Sequence, residues 1–374
     1  MRRGLGGEVL RVLRDAGPQT KNQLADGLGI PRTTLNASVR GLADAGHVED
    51  GPVVATGGRR SVTVRIASGR RFLVLSMSET AARVAVLDGQ LTIASGVTID
   101  LQDRDPDTEW LAYTVCRAAQ RLLGTETPAA VGVAVGDVEP VVDAAVVARL
   151  ASAYPGRPLA TVSSVRALAL GERRQGGASA ADDFVAVRLG RSVTAATVAG
   201  GSLVLGSTGR SGEIGHLRVE EFGPACACGL TGCLDSFVSS GALVAQATSL
   251  ARRGRSSELA QVLERAGTLD LRDLVVAGRA GDAVVAQVAR ELGQRLGRVV
   301  AGLVAHGNPR RVVVGGPVAA VGPSFLGDLR ATVYRLAPPS LAEGLDITLS
   351  DPDGRADLIG CASAAMTRWI EQDL

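Results

Sequence analysis

Apolar residues recur at helical spacing near the start of the chain. Val9, Leu10, Val12 and Leu13 mark a helix from Gly6 to Ala16 that Gly17-Pro18 stops. Thr20 caps a second helix, TKNQLADGLGI, in which Leu24, Ala25 and Leu28 face inward, Gly29 makes the turn and Ile30 fills the gap that follows. A third helix, PRTTLNASVRGLADAG, buries Leu35, Val39 and Leu42. It leaves Arg32, Thr33, Thr34, Asn36, Ser38 and Arg40 on its outer side or at its N-terminal end. Two β-rich runs follow in HVEDGPVVATGGRRSVTVRIA, on either side of the basic tip Thr56-Gly57-Gly58-Arg59-Arg60. Three helices with helix-turn-helix spacing and a two-stranded wing predict a DNA-binding unit over residues 1–66.

Residues 67–71 read as a short joint. The run FLVLSMSETAARVAVLDGQLTI then gives an apolar strand, a polar break and a second strand, and strands alternate with helices as far as residue 350. That alternation predicts an α/β body. GDAVVAQVARELGQRLGRVVAGLVAHGNP is a long helix, and ADLIGCASAAMTRWIEQ closes the chain as a helix with Cys361 and Trp369 as packing residues.

Composition sharpens this outline. A chain of 374 residues is long enough for two or three domains, and 46% hydrophobic content supports sizeable cores. Net charge is only +2, yet residues 1–70 carry 11 Lys and Arg against 6 Asp and Glu. A basic N-terminal end on a near-neutral body suggests that this end meets a polyanion. The candidate DNA-contacting residues are Lys21, Arg32, Thr33, Thr34, Asn36, Ser38 and Arg40, with Arg59 and Arg60 reaching phosphate or an adjacent minor groove from the wing. No secretory signal opens the chain and no apolar run approaches the ~20 residues of a membrane span. The expectation is a cytoplasmic protein, nucleoid-associated when bound to DNA, with no membrane partner.

Three of the five cysteines cluster behind a histidine in GEIGHLRVEEFGPACACGLTGCLD. His216, Cys226, Cys228 and Cys233 form a Cys₃His set, the donor set of a closed structural zinc site. Gly229 and Gly232 permit the tight backbone that turns the sulfurs onto one ion. The alternative is three buried thiols packed as small hydrophobes.

This segment resembles the zinc motif of the ROK family, which groups bacterial sugar kinases with sugar-responsive repressors. The G-E-x-G-H element appears as Gly212, Glu213, Gly215 and His216, and C-x-C-G-x-x-G-C-x-E as Cys226 to Asp235, with aspartate in place of the last glutamate. The N-terminal unit is similar to the winged helix-turn-helix of ROK repressors, down to a T-G-G-R wing, a unit that ROK kinases lack. The resemblance implies an actin-like (ribonuclease H-like) body of two lobes over residues 72–374. Lobe one takes about 72–180 and the C-terminal helix, and lobe two about 181–353 with the zinc knuckle.

Against the family's kinases, the residues that handle phosphate and the sugar hydroxyl are replaced. Ser76, Ser78 and Glu79 stand where D-x-G-G-T places an aspartate and two glycines, and only Thr80 remains. Gly190 alone survives of a G-T-G-x-G turn, and Gly315-Gly316 marks where the family brings adenosine near. Ser163 and Ser164 occupy the positions of the sugar-binding asparagine and the general-base aspartate, and serine is no base at neutral pH. The resemblance therefore implies a regulator without catalytic residues. Its effector contacts would be Glu213, His216 and Asp235, and its homo-oligomer, dimer or tetramer, would bind a pseudo-palindromic double-stranded operator and repress carbohydrate-related genes. A divergent sugar kinase with an accessory DNA-binding unit, and a regulator with a non-sugar or protein input, stay open as alternatives.

Overall fold

The computed structural model describes residues 4–56, 59–101, 107–179, 181–322 and 324–373. The chain begins with α1 (Leu5–Ala16), the short strand β1 (Gln19–Thr20), α2 (Lys21–Leu28) and α3 (Arg32–Asp44), followed by the hairpin of β2 (Val48–Thr56) and β3 (Arg59–Ile66). Thr20 fixes the entry to α2 through a capping box. Its backbone N–H donates to Gln23 Oε1 at 2.9 Å, and its hydroxyl accepts from the Gln23 N–H at 3.3 Å. Leu24, Leu35, Val39 and Leu42 are buried together with Val9, Leu10 and Leu13, as the apolar spacing predicts. The hairpin ladder reaches Thr56↔Arg59, and β1 pairs with β3 to complete a three-stranded antiparallel sheet of order β1-β3-β2. Gly57 and Gly58 of the wing tip lie outside the described residues.

The body starts with β4 (Phe72–Met77), β5 (Ala81–Leu87), β6 (Ile93–Asp100), α4 (Thr108–Leu123), β7 (Ala130–Val135), α5 (Pro140–Ala153), β8 (Leu159–Ser163) and α6 (Ser164–Gln175). It continues with β9 (Phe184–Leu189), β10 (Val193–Ala199), β11 (Ser202–Leu203), a 3₁₀ turn at Ile214–His216, and the helices α7 (Asp235–Val238), α8 (Ser240–Arg252), α9 (Ser257–Ala266), α10 (Leu271–Arg279) and α11 (Ala283–Gly307). The last elements are β12 (Arg311–Gly315), α12 (Ser324–Leu336), α13 (Pro339–Ala342), β13 (Asp346–Leu349) and α14 (Arg355–Asp373).

Two five-stranded sheets share one plan. Their orders are β6-β5-β4-β7-β8 and β11-β10-β9-β12-β13, and in each the first three strands are antiparallel neighbours while the last two join in parallel. β4, β7 and β9 are buried along nearly their whole length, as strands covered on both faces must be. This is the α/β body that the alternating pattern predicts, in the two lobes that the family resemblance implies.

A pair of crossed helices joins the lobes. α14 lies on β4, β7 and β8 of the first sheet, whereas α6, which chain order groups with the first lobe, packs on β9 and β10 of the second. Val165, Leu168 and Ala169 of α6 share a cluster with Phe184, Ala186 and Ala196. The two helices approach so closely that a Cβ on Gly171 would overlap the Ala356 carbonyl, and one on Gly360 would overlap the Ala167 carbonyl. Only glycine fits at that crossing.

Residues 67–71 are a packed joint. Ala67 N–H donates to the His47 carbonyl at 3.0 Å, Gln90 Nε2 to the Ile66 carbonyl at 2.6 Å, and Ala129 N–H to the Arg71 carbonyl at 2.7 Å. Leu10, Leu13, Val64 and Ile66 of the N-terminal unit belong to one continuous core with Phe72, Leu87, Leu91 and Trp369 of the body.

Candidate functional site

Arg32, Thr33 and Thr34 form the exposed first turn of α3. Arg40 is exposed further along, and Asn36 and Ser38 are partly exposed between them. Spacing of four residues places Arg32, Asn36 and Arg40 along one stripe of the helix. Lys21 is exposed at the start of α2 and Arg60 beside the wing tip; Arg59 closes the ladder of β3. Among the described residues none of Lys21, Arg32, Arg40 and Arg60 enters an ion pair, so their charge is free to meet phosphate.

The metal candidates converge. One donor atom from each of His216, Cys226, Cys228 and Cys233 lies within 4.8 Å of every other. Cys226 Sγ is 3.6 Å from His216 Nδ1, and Cys228 Sγ is 3.7 Å from Cys233 Sγ. A tetrahedral ion with ligand distances of about 2.0–2.3 Å needs edges of roughly 3.3–3.8 Å, so the residues fit a zinc-type centre. Tight turns build the loop: Cys226 N–H donates to the Leu230 carbonyl at 2.8 Å and Gly229 N–H to the Cys226 carbonyl at 3.0 Å, with Gly229 and Gly232 at φ 91° and 71°. Burial and the neighbouring sulfurs push the Cys233 thiol up to about 12. A cation is what would make three adjacent thiolates compatible. His216 Nε2 lies 3.8 Å from Glu213 Oε2, on the far side of the ring from Cys226.

The cleft between the lobes holds two cavities. The larger, about 550 Å³, is lined by Ser78, Thr80, Arg83, Arg188, Gly315 and Asp357 among others. The smaller, about 140 Å³, is lined by Asp137, Ser163, Ser164, Arg166, Thr194 and Glu213 among others. Ser78 folds back on its own turn: its N–H donates to the Ala81 carbonyl at 2.8 Å, and its hydroxyl accepts from the Ala81 N–H at 3.2 Å. Ser76 is buried on β4, and its hydroxyl has no hydrogen-bond partner among the described residues. Glu79 lies beside them with much of its surface exposed, while partial burial of its carboxyl and the nearby Asp137 raise its pKa.

Of the three expected effector residues, Glu213 lines the smaller of these two cavities and His216 and Asp235 line neither; Arg210 pairs with Glu213 at 2.9 Å. Asp235 is engaged with β10 and the turn before it, accepting from Ser192 Oγ at 2.6 Å and Val193 N–H at 2.8 Å. Between the cavities stands a feature the sequence reading missed. Arg188 Nε donates to Asp137 Oδ2, and Arg188 Nη1 donates to both carboxylate oxygens of Asp357 at 2.9 Å. The three residues are only 2%, 8% and 5% exposed. Burial raises the Asp137 carboxyl, with Arg188 opposing the shift, and the two carboxylates hold Arg188 in its charged form more firmly than usual. A lone arginine inside the apolar run FVAVRL was the available signal.

A family model described as the ROK family matches residues 142–367. The chain belongs to the ROK family. Among its ROK relatives, a glucokinase of Halalkalibacterium halodurans is 31% identical over 204 residues, 54% of this chain and 62% of that protein. The DNA-binding transcriptional dual regulator NagC of Escherichia coli K12 is 27% identical over 195 residues, 51% of this chain and 46% of that protein. The chain thus spans between about half and two thirds of the length of these curated relatives. Among solved structures, a ROK family transcriptional regulator described as a homologue of the E. coli MLC protein superposes with a TM-score of 0.76 at 21% identity, covering 98% of this chain and 96% of that one. At that identity the likeness concerns the fold, which here includes the N-terminal unit as well as the ROK body. Among the described residues no helix is long and apolar enough to cross a membrane.

Proposed function

We propose that this ROK protein is a sequence-specific DNA-binding transcriptional regulator that represses carbohydrate-related genes, and that its body senses a small molecule and holds a homo-oligomer together. The observation that carries the reading is the winged helix-turn-helix, with its unpaired arginines on the outer stripe of α3, joined to a ROK body. Ser164, which lines the smaller cavity, and the buried Ser76 stand where the resemblance places two carboxylates of the family's kinases. A two-fold oligomer would set two copies of α3 on half-sites of a pseudo-palindromic operator. The Cys₃His cluster would hold a structural zinc, bracing lobe two beside the cleft and directing His216 Nε2 toward Glu213. A sugar or sugar derivative would lodge in the smaller cavity near Glu213, and its influence equals the difference in its affinity for the two arrangements of the lobes.

Genome-wide binding of the tagged protein, followed by titration on recovered sites at two salt concentrations with and without candidate sugars, tests this reading. Inverted repeats released by a sugar are the expected result, and the absence of any specific site would end it. On such a site, Arg32→Ala and Arg40→Ala should each weaken binding by about 1–3 kcal/mol where the arginine reads a base edge. Arg60→Ala should lower the salt slope by about one unit, the signature of a lost phosphate contact.

The glucokinase relative supports a second reading as a sugar kinase. A coupled assay with magnesium-ATP and glucose separates the two. The regulator reading expects no phosphorylation above background, because Ser164 cannot accept the hydroxyl proton; steady turnover would move the assignment to the kinase.

A further inference from the structure

The buried arginine in the cleft and the recognition helix are two ends of one connected path. Arg188 belongs to β9 in lobe two, Asp137 to the turn after β7 in lobe one, and Asp357 to the first turn of α14, so the triad ties three separate parts of the body together. Arg188 and Asp357 line the larger cavity, and Asp137 lines the smaller one. A ligand entering either cavity therefore meets a member of the triad. Twelve residues further along α14, about 18 Å at helical rise, stands Trp369, which is fully buried.

Trp369 receives His47 edge-on at 5.3 Å and Phe72 at 5.9 Å, and the Arg70 guanidinium lies 5.5 Å from its ring. Arg70 in turn donates to the carbonyls of Ala45 and Gly46, both at 3.1 Å, where α3 ends. That is the position at which a cation suits a helix terminus. Two residues earlier on α14, Thr367 Oγ1 accepts from Arg14 of α1 at 2.7 Å. The glycine crossing packs the first part of α14 directly against α6, so a shift of that part is passed to its neighbours rather than absorbed.

We propose that α14 is the transmission element of this protein: the Asp137–Arg188–Asp357 triad roots it in the inter-lobe cleft, and Trp369, through Arg70, carries its position to the C-terminal end of α3. A change in how Arg188 is shared between the two lobes shifts the first turn of α14, and the far end shifts the orientation of α3. The consequence for operator binding rests on the reading of α3 as the recognition helix; the coupling itself does not, and its test uses no DNA.

Hydrogen exchange read by mass spectrometry on the full chain provides that test. The neutral set Asp137→Asn, Arg188→Met and Asp357→Asn keeps side-chain volume while removing the ionic tie. Amides in residues 5–16 and 32–47 are expected to exchange at least tenfold faster, with residues 257–279 of lobe two unchanged. Coupling is reciprocal, so Trp369→Leu should speed exchange at residues 184–189 and 355–360 by a similar factor. Acceleration confined to the side of the substitution in both variants would overturn the proposal. So would acceleration that includes residues 257–279, which is global loosening. Should the neutral set fail to fold, Trp369→Leu decides alone on the same criteria.

Discussion

The Cys233→Ser protein is expected to lose one equivalent of zinc and to unfold about 3–5 °C below the parent protein, a cost of a few kcal/mol in a chain of this size. The reason lies in how little else holds the knuckle. Phe222 is 89% exposed and Leu230 56%, so the loop between His216 and Cys233 has almost no apolar interior of its own. Besides the donor cluster and the turn bonds already described, its order comes from the Val219 N–H to Gly232 carbonyl bond at 2.8 Å, the Leu234 N–H to Leu217 carbonyl bond at 2.9 Å, the Glu220–Arg295 ion pair and the packing of Val219 on the core of lobe two. Cys233 is the one fully buried donor of the four, and it leads directly into α7 and α8 of the second core. Loosening it should propagate further than loosening the exposed Cys228. Elemental analysis and calorimetry before and after chelation check this, with Phe222→Ser as a control that should change neither. Protein free of zinc that melts at the parental temperature would mean that the cysteines are packed thiols and the site structural in name only.

What could be read from the sequence divides by the range of the interactions involved. The winged helix-turn-helix is local: Thr20 with Gln23, the apolar spacing of Leu35, Val39 and Leu42, and a hairpin closing at Thr56↔Arg59 all lie within a few residues of their partners, and each is where the pattern places it. The donor cluster is nearly as local, since three cysteines within eight positions can hardly avoid one another. The alternating body was legible as a class, because buried strands such as FLVLSM carry a continuous apolar signal.

The pairings that matter most for function were not legible, because each spans the chain. Asp137 and Arg188 are 51 residues apart, and Arg188 and Asp357 are 169 apart. A single charge in an apolar run announces that a partner exists without naming it. Trp369 reads as a packing residue, which it is, but nothing local says that what it packs against is the joint between the N-terminal unit and the body. Likewise Asp235 stands at the motif's last acidic position, but nothing local says that its carboxylate accepts from Ser192 Oγ and Val193 N–H.

Arg188→Ala should be the most damaging of the single substitutions, costing about 3–5 kcal/mol, because it strands two largely buried carboxylates without their shared cation. Asp137 and Asp357 are 8% and 5% exposed, and burial already raises the Asp137 carboxyl while Arg188 restrains it. Without the guanidinium that carboxyl must rise further above its unfolded-state value. A carboxyl that binds its proton more tightly in the folded state favours folding at low pH, and this contribution is lost as pH climbs through the raised folded value. The gap between parent and Arg188→Ala should therefore be widest at neutral pH and narrow as pH falls toward 5. Denaturant titrations at pH 7 and pH 5 measure both quantities. The neutral triple set, which leaves no buried charge, should recover most of the lost stability, since a buried ion pair costs desolvation that amide and thioether groups do not. That outcome would separate two roles of the triad: it would contribute little to net stability compared with a neutral cleft, while defining how the two lobes and α14 are held relative to one another. An Arg188→Ala protein as stable as the parent at pH 7 would show that the three side chains are not held together in solution, and the path from the cleft to α3 would lose its root.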